Sequence, residues 1–317
     1  MKKRIISVLL ATVFALSVIG CGTKDTKEQD AYRQYGITCM ESGKYEDAVK
    51  AFQNALGESI GHIGEKELDI CFYKAKAQAL DGKTKDALAT YNAIIKYNKD
   101  ARAYYLRGDL YMDMGEEKKG RADFESAVQH GKKNYEIYIG IYESLSRHEK
   151  KDEGQKYLSA AMEIKGDKPE DELYKGRISY LLGENKDAIS YLEKAKEHKQ
   201  MLASYYLGLA YDANGDSDKA KKCIAEYIKS GVATSYDLYE LGMQEMQDGN
   251  YKNALTYFNF GLELEQVPNK QNRMKSAIAA YEYSGDFDSA KKMMKEYLKA
   301  YPDDEEAKHE NTFLETR

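Results

Sequence analysis

A glycine followed five residues later by an alanine recurs along the chain, and this spacing constrains the fold more than any other feature. The six clear copies read GKYEDA, GKTKDA, GENKDA, GDSDKA, GNYKNA and GDFDSA. Gly120 and Gly154 mark the equivalent position between the second and third copies, so eight markers are separated by 39, 33, 34, 34, 32, 34 and 36 residues. A steady period of this size is the signature of a repeat architecture. We therefore expect a stack of eight similar units.

Each unit repeats one pattern of small and large side chains when its marker is numbered position 20. The units then begin at Gln29, Leu68, Ala101, Tyr135, Pro169, Met201, Ser235 and Gln271. Position 8 is small in six of the eight units, with Tyr142 and Ile278 as exceptions, and position 27 is small in five. Position 24 is large and apolar in all eight: Phe52, Tyr91, Phe124, Leu158, Leu192, Ile224, Phe258 and Met294. The pattern predicts helix pairs that cross closely at the small residues.

Position 15 predicts where the two helices of a unit are separated. It is glycine in seven units, and Glu149 takes its place in the fourth. Because glycine adopts positive φ without steric cost, we expect this residue to end the first helix and open the turn. Positions 4, 7, 8 and 11 lie on one face of the first helix. No unit can bury that face alone, so the units are expected to stack and share a core.

The pattern resembles the tetratricopeptide repeat, a family of 34-residue helix–turn–helix units. The family's Trp at position 4 is missing in every unit, but the register is kept from Gln29 to Pro302. The resemblance implies an all-α helical solenoid, with about eight repeats over residues 29–302. Residues 303–317 are expected to form a C-terminal capping helix, because acidic residues at 303–306 favour a helix start. A frayed acidic tail is the alternative.

The first twenty residues have the pattern of a signal peptide. Lys2, Lys3 and Arg4 precede sixteen uncharged residues, a run shorter than the roughly 20 residues that a membrane-spanning helix needs. A short N-terminal anchor that stays in place is the alternative to cleavage.

The residues 18–21, Val-Ile-Gly-Cys, resemble the lipobox of bacterial lipoproteins. The resemblance implies cleavage after Gly20 and acylation of Cys21, with residues 21–28 as the lipidated N-terminus and a short polar tether. Two or more acyl chains, such as palmitate, hold a protein stably at a membrane. We therefore expect a lipid-anchored, extracytoplasmic protein of the bacterial cell envelope.

Charge and motif content argue against several other functions. The net charge is −5, and it becomes −8 after removal of residues 1–20, so a nucleic-acid partner is not expected. The five histidines form no i, i+3 or i+4 pair, and no nucleophile, metal or phosphate motif is present. Cys39, Cys71 and Cys223 are too irregularly spaced for a disulfide framework or a metal site. We expect no enzymatic activity, no metal and no cofactor.

The inner surface of such a solenoid is lined mainly by the first helix of each unit. Positions 2, 5, 9 and 12 lie opposite the core face and are rich in tyrosine and methionine. The candidate groove residues are Tyr105, Met112, Tyr180, Tyr205, Tyr236, Tyr239, Met243 and Met246. Tyrosine is enriched at interfaces, and methionine suits adaptable apolar binding. The alternative is that these side chains only pack against the neighbouring helix.

The resemblance also implies which ligand is not expected. The family's best-known clamp for a C-terminal carboxylate needs Lys at position 5 and Asn at position 9. Only Lys275 meets the first requirement, and Ala279 occupies position 9 of the same unit. We therefore expect a protein or peptide partner of another kind, bound by a scaffold through its concave groove. The alternative is a structural subunit of a homo-oligomer or envelope complex that uses its ends or convex face.

Overall fold

A computed structural model describes residues 24–59, 63–166, 168–264, 267 and 269–317. The predicted signal peptide and Cys21 lie outside these residues. Seventeen α-helices account for most of the described chain, and no strand occurs among the described residues. None of these helices is both long and apolar enough to cross a bilayer.

The helices follow one another with short connections. The first eight are α1 (Lys24–Glu41), α2 (Tyr45–Gly57), α3 (Glu65–Leu80), α4 (Thr84–Asn98), α5 (Ala101–Asp113), α6 (Glu117–His130), α7 (Tyr135–Arg147) and α8 (Lys151–Met162). The remaining nine are α9 (Pro169–Leu182), α10 (Asn185–Glu197), α11 (Leu202–Ala213), α12 (Ser217–Lys229), α13 (Ser235–Gln247), α14 (Tyr251–Glu263), α15 (Lys270–Ser284), α16 (Phe287–Ala300) and α17 (Glu305–Glu315).

Consecutive helices pack as pairs, and the pairs stack along the chain. Each odd-numbered helix from α1 to α15, here called an A helix, packs against the even-numbered B helix that follows it. The buried side chains form a series of apolar clusters; one of them, for example, draws on α9, α10, α11 and α12. Neighbouring units thus bury each other's apolar faces, which confirms the expected all-α helical solenoid.

The turn from the A helix to the B helix confirms the prediction made for position 15. Seven turns contain a glycine whose φ lies between 70° and 86°. In the fourth unit Glu149 adopts the same left-handed conformation, with φ of 62°. The turn geometry is therefore kept in all eight units, and only one unit adopts it with a side chain that disfavours positive φ.

The crossing of the two helices depends on the small residue at position 8. A Cβ atom added to Gly36 would lie 2.6 Å from the ring of Phe52, and one added to Gly108 would lie 2.8 Å from the ring of Phe124. Positions 8 and 24 of the same unit are thus in direct contact, as the sequence pattern predicts. The fourth unit reverses the sizes, because a Cβ on Gly154 at position 20 would lie 3.0 Å from Tyr142 at position 8.

The last helix, α17, covers the end of the stack. Asp304 caps its N-terminus by accepting a hydrogen bond from the backbone N–H of Ala307 at 3.1 Å. The same carboxylate accepts a 2.5 Å hydrogen bond from the hydroxyl of Tyr297 in α16. Ala307 and Leu314 are buried against α15 and α16. The terminal segment is therefore a docked helix and not a frayed tail.

Candidate functional site

The A helices contact one another along the face that points away from the B helices. Arg33 of α1 pairs with Asp69 of α3 at 2.7 Å, and the hydroxyl of Tyr239 in α13 lies 3.3 Å from the Ser276 hydroxyl in α15. Burial raises the pKa of Tyr236 in α13 to about 12, and nearby carboxylates, including that of Glu143 in α7, add to the shift. Titratable groups three units apart thus act on one another across this A-helix face, which we call the concave face.

The first part of the concave face carries charges that pair with each other. Asp109 of α5 accepts hydrogen bonds of 2.5 Å from the Ser144 hydroxyl and from the Arg147 guanidinium, both of α7. Arg33 and Asp69 make the equivalent connection between α1 and α3. We call these residues, together with Glu136, Glu143 and Arg177, the paired stretch. Its charges connect neighbouring units and leave little net charge for a ligand.

Arg177 of α9 lies at the end of the paired stretch. Its guanidinium, whose side chain is 18% exposed, lies 3.1 Å from Glu143 and 3.4 Å from Glu136, both of α7. The guanidinium also lies 5.5 Å from the ring centroid of Tyr206 in α11, within range of a cation–π interaction. One side chain thus contacts the units before and after its own.

The second part of the concave face is aromatic and apolar. It consists of half-buried side chains from α11 and α13, which we call the tyrosine stretch: Tyr206, Leu209, Tyr236, Tyr239, Met243 and Met246. Burial raises the pKa of Tyr206 to about 12, so both Tyr206 and Tyr236 are neutral hydroxyls at pH 7. The stretch presents aromatic faces, thioethers and hydroxyl groups that can donate or accept hydrogen bonds.

Two of the predicted groove residues lie in the core. Met112 is 2% exposed, and its sulfur would be 2.7 Å from a Cβ on Gly120, so it fills space that an alanine occupies in other units. This corrects the prediction for Met112, because a side chain so buried cannot contact a ligand. Tyr205 is 8% exposed and packs on Tyr227, which replaces the usual small residue at position 27. Tyr205 therefore supports the groove from below.

Tyr105 and Tyr180 are half-buried and belong to the contacts between units. The Tyr105 ring fills the notch left by Gly140 in α7, since a Cβ there would lie 2.6 Å from the ring. Tyr180 packs against a cluster formed by α9 to α12. Both residues border the concave face, but most of their area contacts the protein.

The four residues predicted on α13 come together in one place. Tyr239 packs on Phe258 with ring centroids 5.7 Å apart, and the Arg273 guanidinium lies 4.8 Å from its ring centroid. Met243 and Met246 pack beside Tyr239 on the same cluster, and Tyr236 lies one helical turn before it. All four keep part of their surface exposed.

Sequence reasoning missed Tyr206 and Glu240 as candidate site residues. Tyr206 and Glu240 occupy position 6, which the expected spacing of 2, 5, 9 and 12 omits. Arg177 and Glu143 lie at position 9, which the sequence places on the groove face, but they were not among the candidate groove residues.

Burial raises the pKa of one carboxyl group on each part of the concave face. Burial raises the pKa of Glu143, and the neighbouring Arg177 opposes this shift without cancelling it. Burial also raises the pKa of Glu240 in α13, with Arg273 acting in the opposite direction. Each carboxyl would gain from an additional positive charge in the groove.

Other sites in the described part of the chain are weaker candidates for binding a ligand. A shallow depression between α6, α7 and α8 is lined by Arg121, Tyr138 and Glu153, but Arg121 and Glu153 already pair with each other at 2.7 Å. Among the described residues, no three His, Cys, Asp or Glu side chains lie close enough to hold a metal. Cys39, Cys71 and Cys223 are free thiols within helices.

Comparison with known families agrees with the repeat pattern. Tetratricopeptide repeat models match residues 101–129, 202–230 and 271–304. The first segment coincides with α5 and α6, the second with α11 and α12, and the third with α15 and α16. Tetratricopeptide repeats are thus recognised in the third, sixth and eighth units. No functionally curated protein matches the sequence of this chain.

Solved structures with a similar arrangement are distant in sequence. A tetratricopeptide repeat protein from Parabacteroides merdae is 12% identical, with a TM-score of 0.46, and the match covers 80% of this chain and 99% of that one. The structure of the APC/C hetero-tetramer Cut9–Hcn1 matches at 16% identity and TM-score 0.43, over 92% of this chain and 57% of that one. PilW, a type IV pilus biogenesis factor, matches at 18% identity and TM-score 0.42, over 66% and 97%.

Proposed function

We propose that this chain is a lipid-anchored, extracytoplasmic scaffold of the bacterial envelope that binds a protein or peptide along its concave face. The single observation that carries the binding proposal is the tyrosine stretch on α11 and α13. Tyr236, Tyr239, Met243 and Met246 keep exposed surface there, on a framework that the Arg177 contacts and Tyr205 hold in place. Tetratricopeptide repeats are protein-binding scaffolds in general, which fits this use of the face.

The chemistry of the tyrosine stretch suits a peptide ligand. Tyrosine provides rigid area with few rotatable bonds, so little side-chain entropy is lost on binding. The methionines adapt their shape to an incoming apolar side chain. Neutral phenols at Tyr206 and Tyr236 can hydrogen-bond to a peptide backbone without a charge penalty.

The binding proposal is tested by substitution on the exposed part of the stretch. Tyr236→Ser combined with Met243→Gln should reduce recovery of a cross-linked partner from cells at least several-fold, while circular dichroism and the melting temperature stay close to those of the original chain. Phe260→Ser is the matched control, because Phe260 is 44% exposed but lies on the B helix α14. Unchanged partner recovery in the double variant, with the fold intact, would overturn the proposal.

The anchor is a separate proposal and rests on the sequence of residues 1–21. Cys21→Ala should abolish labelling by a radioactive fatty acid, because only the thiol can take the diacylglyceryl group. It should also move the protein out of the membrane fraction. Unchanged labelling and fractionation in this variant would exclude lipidation at Cys21, without bearing on the groove.

A further inference from the structure

Helices α11 and α13 differ from all other described helices in their charges. Among the seventeen, they alone contain no lysine or arginine. Together they carry four acidic residues: Asp212, Asp237, Glu240 and Glu245. The intervening B helix has four lysines: Lys219, Lys221, Lys222 and Lys229. The charged side chains of α11 and α13 are thus all acidic, whereas α12 carries these lysines together with Asp218 and Glu226.

Two of the four carboxylates have structural roles. Asp237 accepts a hydrogen bond of 2.6 Å from Thr234 in the capping box of α13, and another of 2.5 Å from the Tyr227 hydroxyl. Glu245 accepts a 3.1 Å hydrogen bond from the side chain of Asn253. Asp212 and Glu240 remain exposed beside the tyrosine stretch, and they set the sign of its charge.

Two basic groups of the next A helix, α15, are engaged by other groups of the protein. Arg273 is 6% exposed, donates a hydrogen bond to the backbone carbonyl of Ser235 and lies over the ring of Tyr239. Lys275 pairs with Asp304 at 2.8 Å and so holds the capping helix. Neither cation reaches out as a free charge that would attract an acidic ligand.

We propose that the tyrosine stretch binds a peptide segment in which apolar side chains are flanked by lysine or arginine. The inference rests on the proposed function and names the chemistry of its partner. Apolar side chains would pack on Met243 and Met246, and the cations would lie within reach of the carboxylates of Asp212 and Glu240. An acidic segment would meet like charge at the same place, so the surface discriminates by sign.

A pair of designed peptides tests the sign of the charge. One labelled peptide has leucines alternating with pairs of lysines, and the other has glutamates in place of the lysines. Fluorescence anisotropy with the full chain in detergent should show binding of the lysine peptide that weakens as salt is added, and at least tenfold weaker binding of the glutamate peptide. Equal binding of the two peptides would overturn the inference.

Two charge-neutralising variants locate the effect. Asp212→Asn with Glu240→Gln should weaken binding of the lysine peptide roughly 3- to 10-fold, as expected for the loss of two partly exposed charge pairs. Glu46→Gln with Asp47→Asn makes the same charge change on exposed positions of the distant helix α2 and should leave binding unchanged. An equal loss in both variants would mean that net charge alone attracts the peptide, and would overturn the inference.

The outcome separates this inference from the proposed function. Suppose that Tyr236→Ser with Met243→Gln loses the cellular partner but Asp212→Asn with Glu240→Gln retains it fully. Binding through the groove is then supported, and a partner recognised by its basic residues is excluded. A dimer in sedimentation velocity that is lost both in Asp212→Asn with Glu240→Gln and in Lys221→Glu with Lys222→Glu would also overturn the inference. It would assign the surface to α12 of a second copy.

Discussion

The paired stretch and the tyrosine stretch lie on the same face of the same solenoid, yet they use their side chains differently. Between α1 and α9, charged groups such as Asp109 and Arg147 satisfy each other across neighbouring units. On α11 and α13, half-exposed tyrosines and methionines lie beside the exposed carboxylates Asp212 and Glu240. Polar groups that are partnered inside the chain hold the repeats in register. Surface without such partners is available to another molecule.

The helix crossing is packed in the same way beneath the paired stretch and beneath the tyrosine stretch, so the two differ in their surfaces and not in their core. Gly36 lies against Phe52 under the paired stretch, and Gly208 lies against Ile224 under the tyrosine stretch. Repeats of one architecture can therefore carry different surfaces, because the helix crossing depends on positions 8 and 24 and the concave face on other positions.

The largest expected effect tests this common core. Gly36→Val and Gly208→Val should each lower the free energy of unfolding by about 1–3 kcal/mol, since the new side chain would overlap a buried neighbour. Gly57→Val is the control: a Cβ there meets no atom within 4 Å, and a change within about 0.5 kcal/mol is expected. Urea unfolding measures all three. Destabilisation at only one of the two positions would show that the two cores differ.

A second, smaller effect contrasts the two surfaces. Arg177→Ala should lower the free energy of unfolding by about 2 kcal/mol, because the carboxylates of Glu143 and Glu136 lose their hydrogen-bonded cation. Met246→Gln on the tyrosine stretch should lower it by less than about 1 kcal/mol. Thermal melts of both variants make the comparison. A larger loss of stability in Met246→Gln than in Arg177→Ala would contradict the distinction between a structural stretch and a binding stretch.

The smallest effect is a difference in pH dependence between two carboxyls. Burial alone would raise the pKa of Glu67 in α3, but hydrogen bonds from Gln29, the Gly64 N–H and Ser59 lower it to about 2. Its stabilising contribution is present above the ordinary glutamate pKa and is lost as pH falls toward about 2. Burial raises the pKa of Glu240 in α13, so its carboxyl favours folding at low pH and costs stability as pH rises through the ordinary value.

Urea midpoints between acidic and neutral pH measure this difference. Relative to the original chain, Glu67→Gln should be less stable at neutral pH and approach it at low pH. Glu240→Gln should gain relative stability as pH rises. The same pH trend in both variants would contradict the assignment of Glu67 to a site with several hydrogen-bond donors and of Glu240 to a site where desolvation outweighs the attraction of Arg273.

The sequence predicted the fold because the repeat encodes local conformation and packing together. The glycines at position 15 predicted positive φ, and the fourth unit keeps that geometry through Glu149. The small residue at position 8 predicted a close crossing, which Gly36 and Phe52 show directly. Such contacts lie within one unit, and eight copies of one pattern make them visible.

The site was less predictable because it depends on contacts between units. The position of Met112 in its unit predicts a surface residue, but its side chain fills the space left by Gly120 on α6 and is buried there. The position of Tyr206 in its unit lies outside the spacing expected for the groove face, but its ring contacts the Arg177 guanidinium of the preceding unit on that face. A single sequence does not show which of two neighbouring side chains fills a shared space.

The most direct test of the central claim places a photo-cross-linking amino acid at residue 236, and separately at residue 260, in the full chain expressed in its own cells. The two positions carry aromatic residues of the same seventh unit, one on the concave face and one on the opposite helix. We predict a discrete cross-linked adduct from position 236 and none from position 260. An adduct from position 260 with none from position 236 would contradict binding through the concave face.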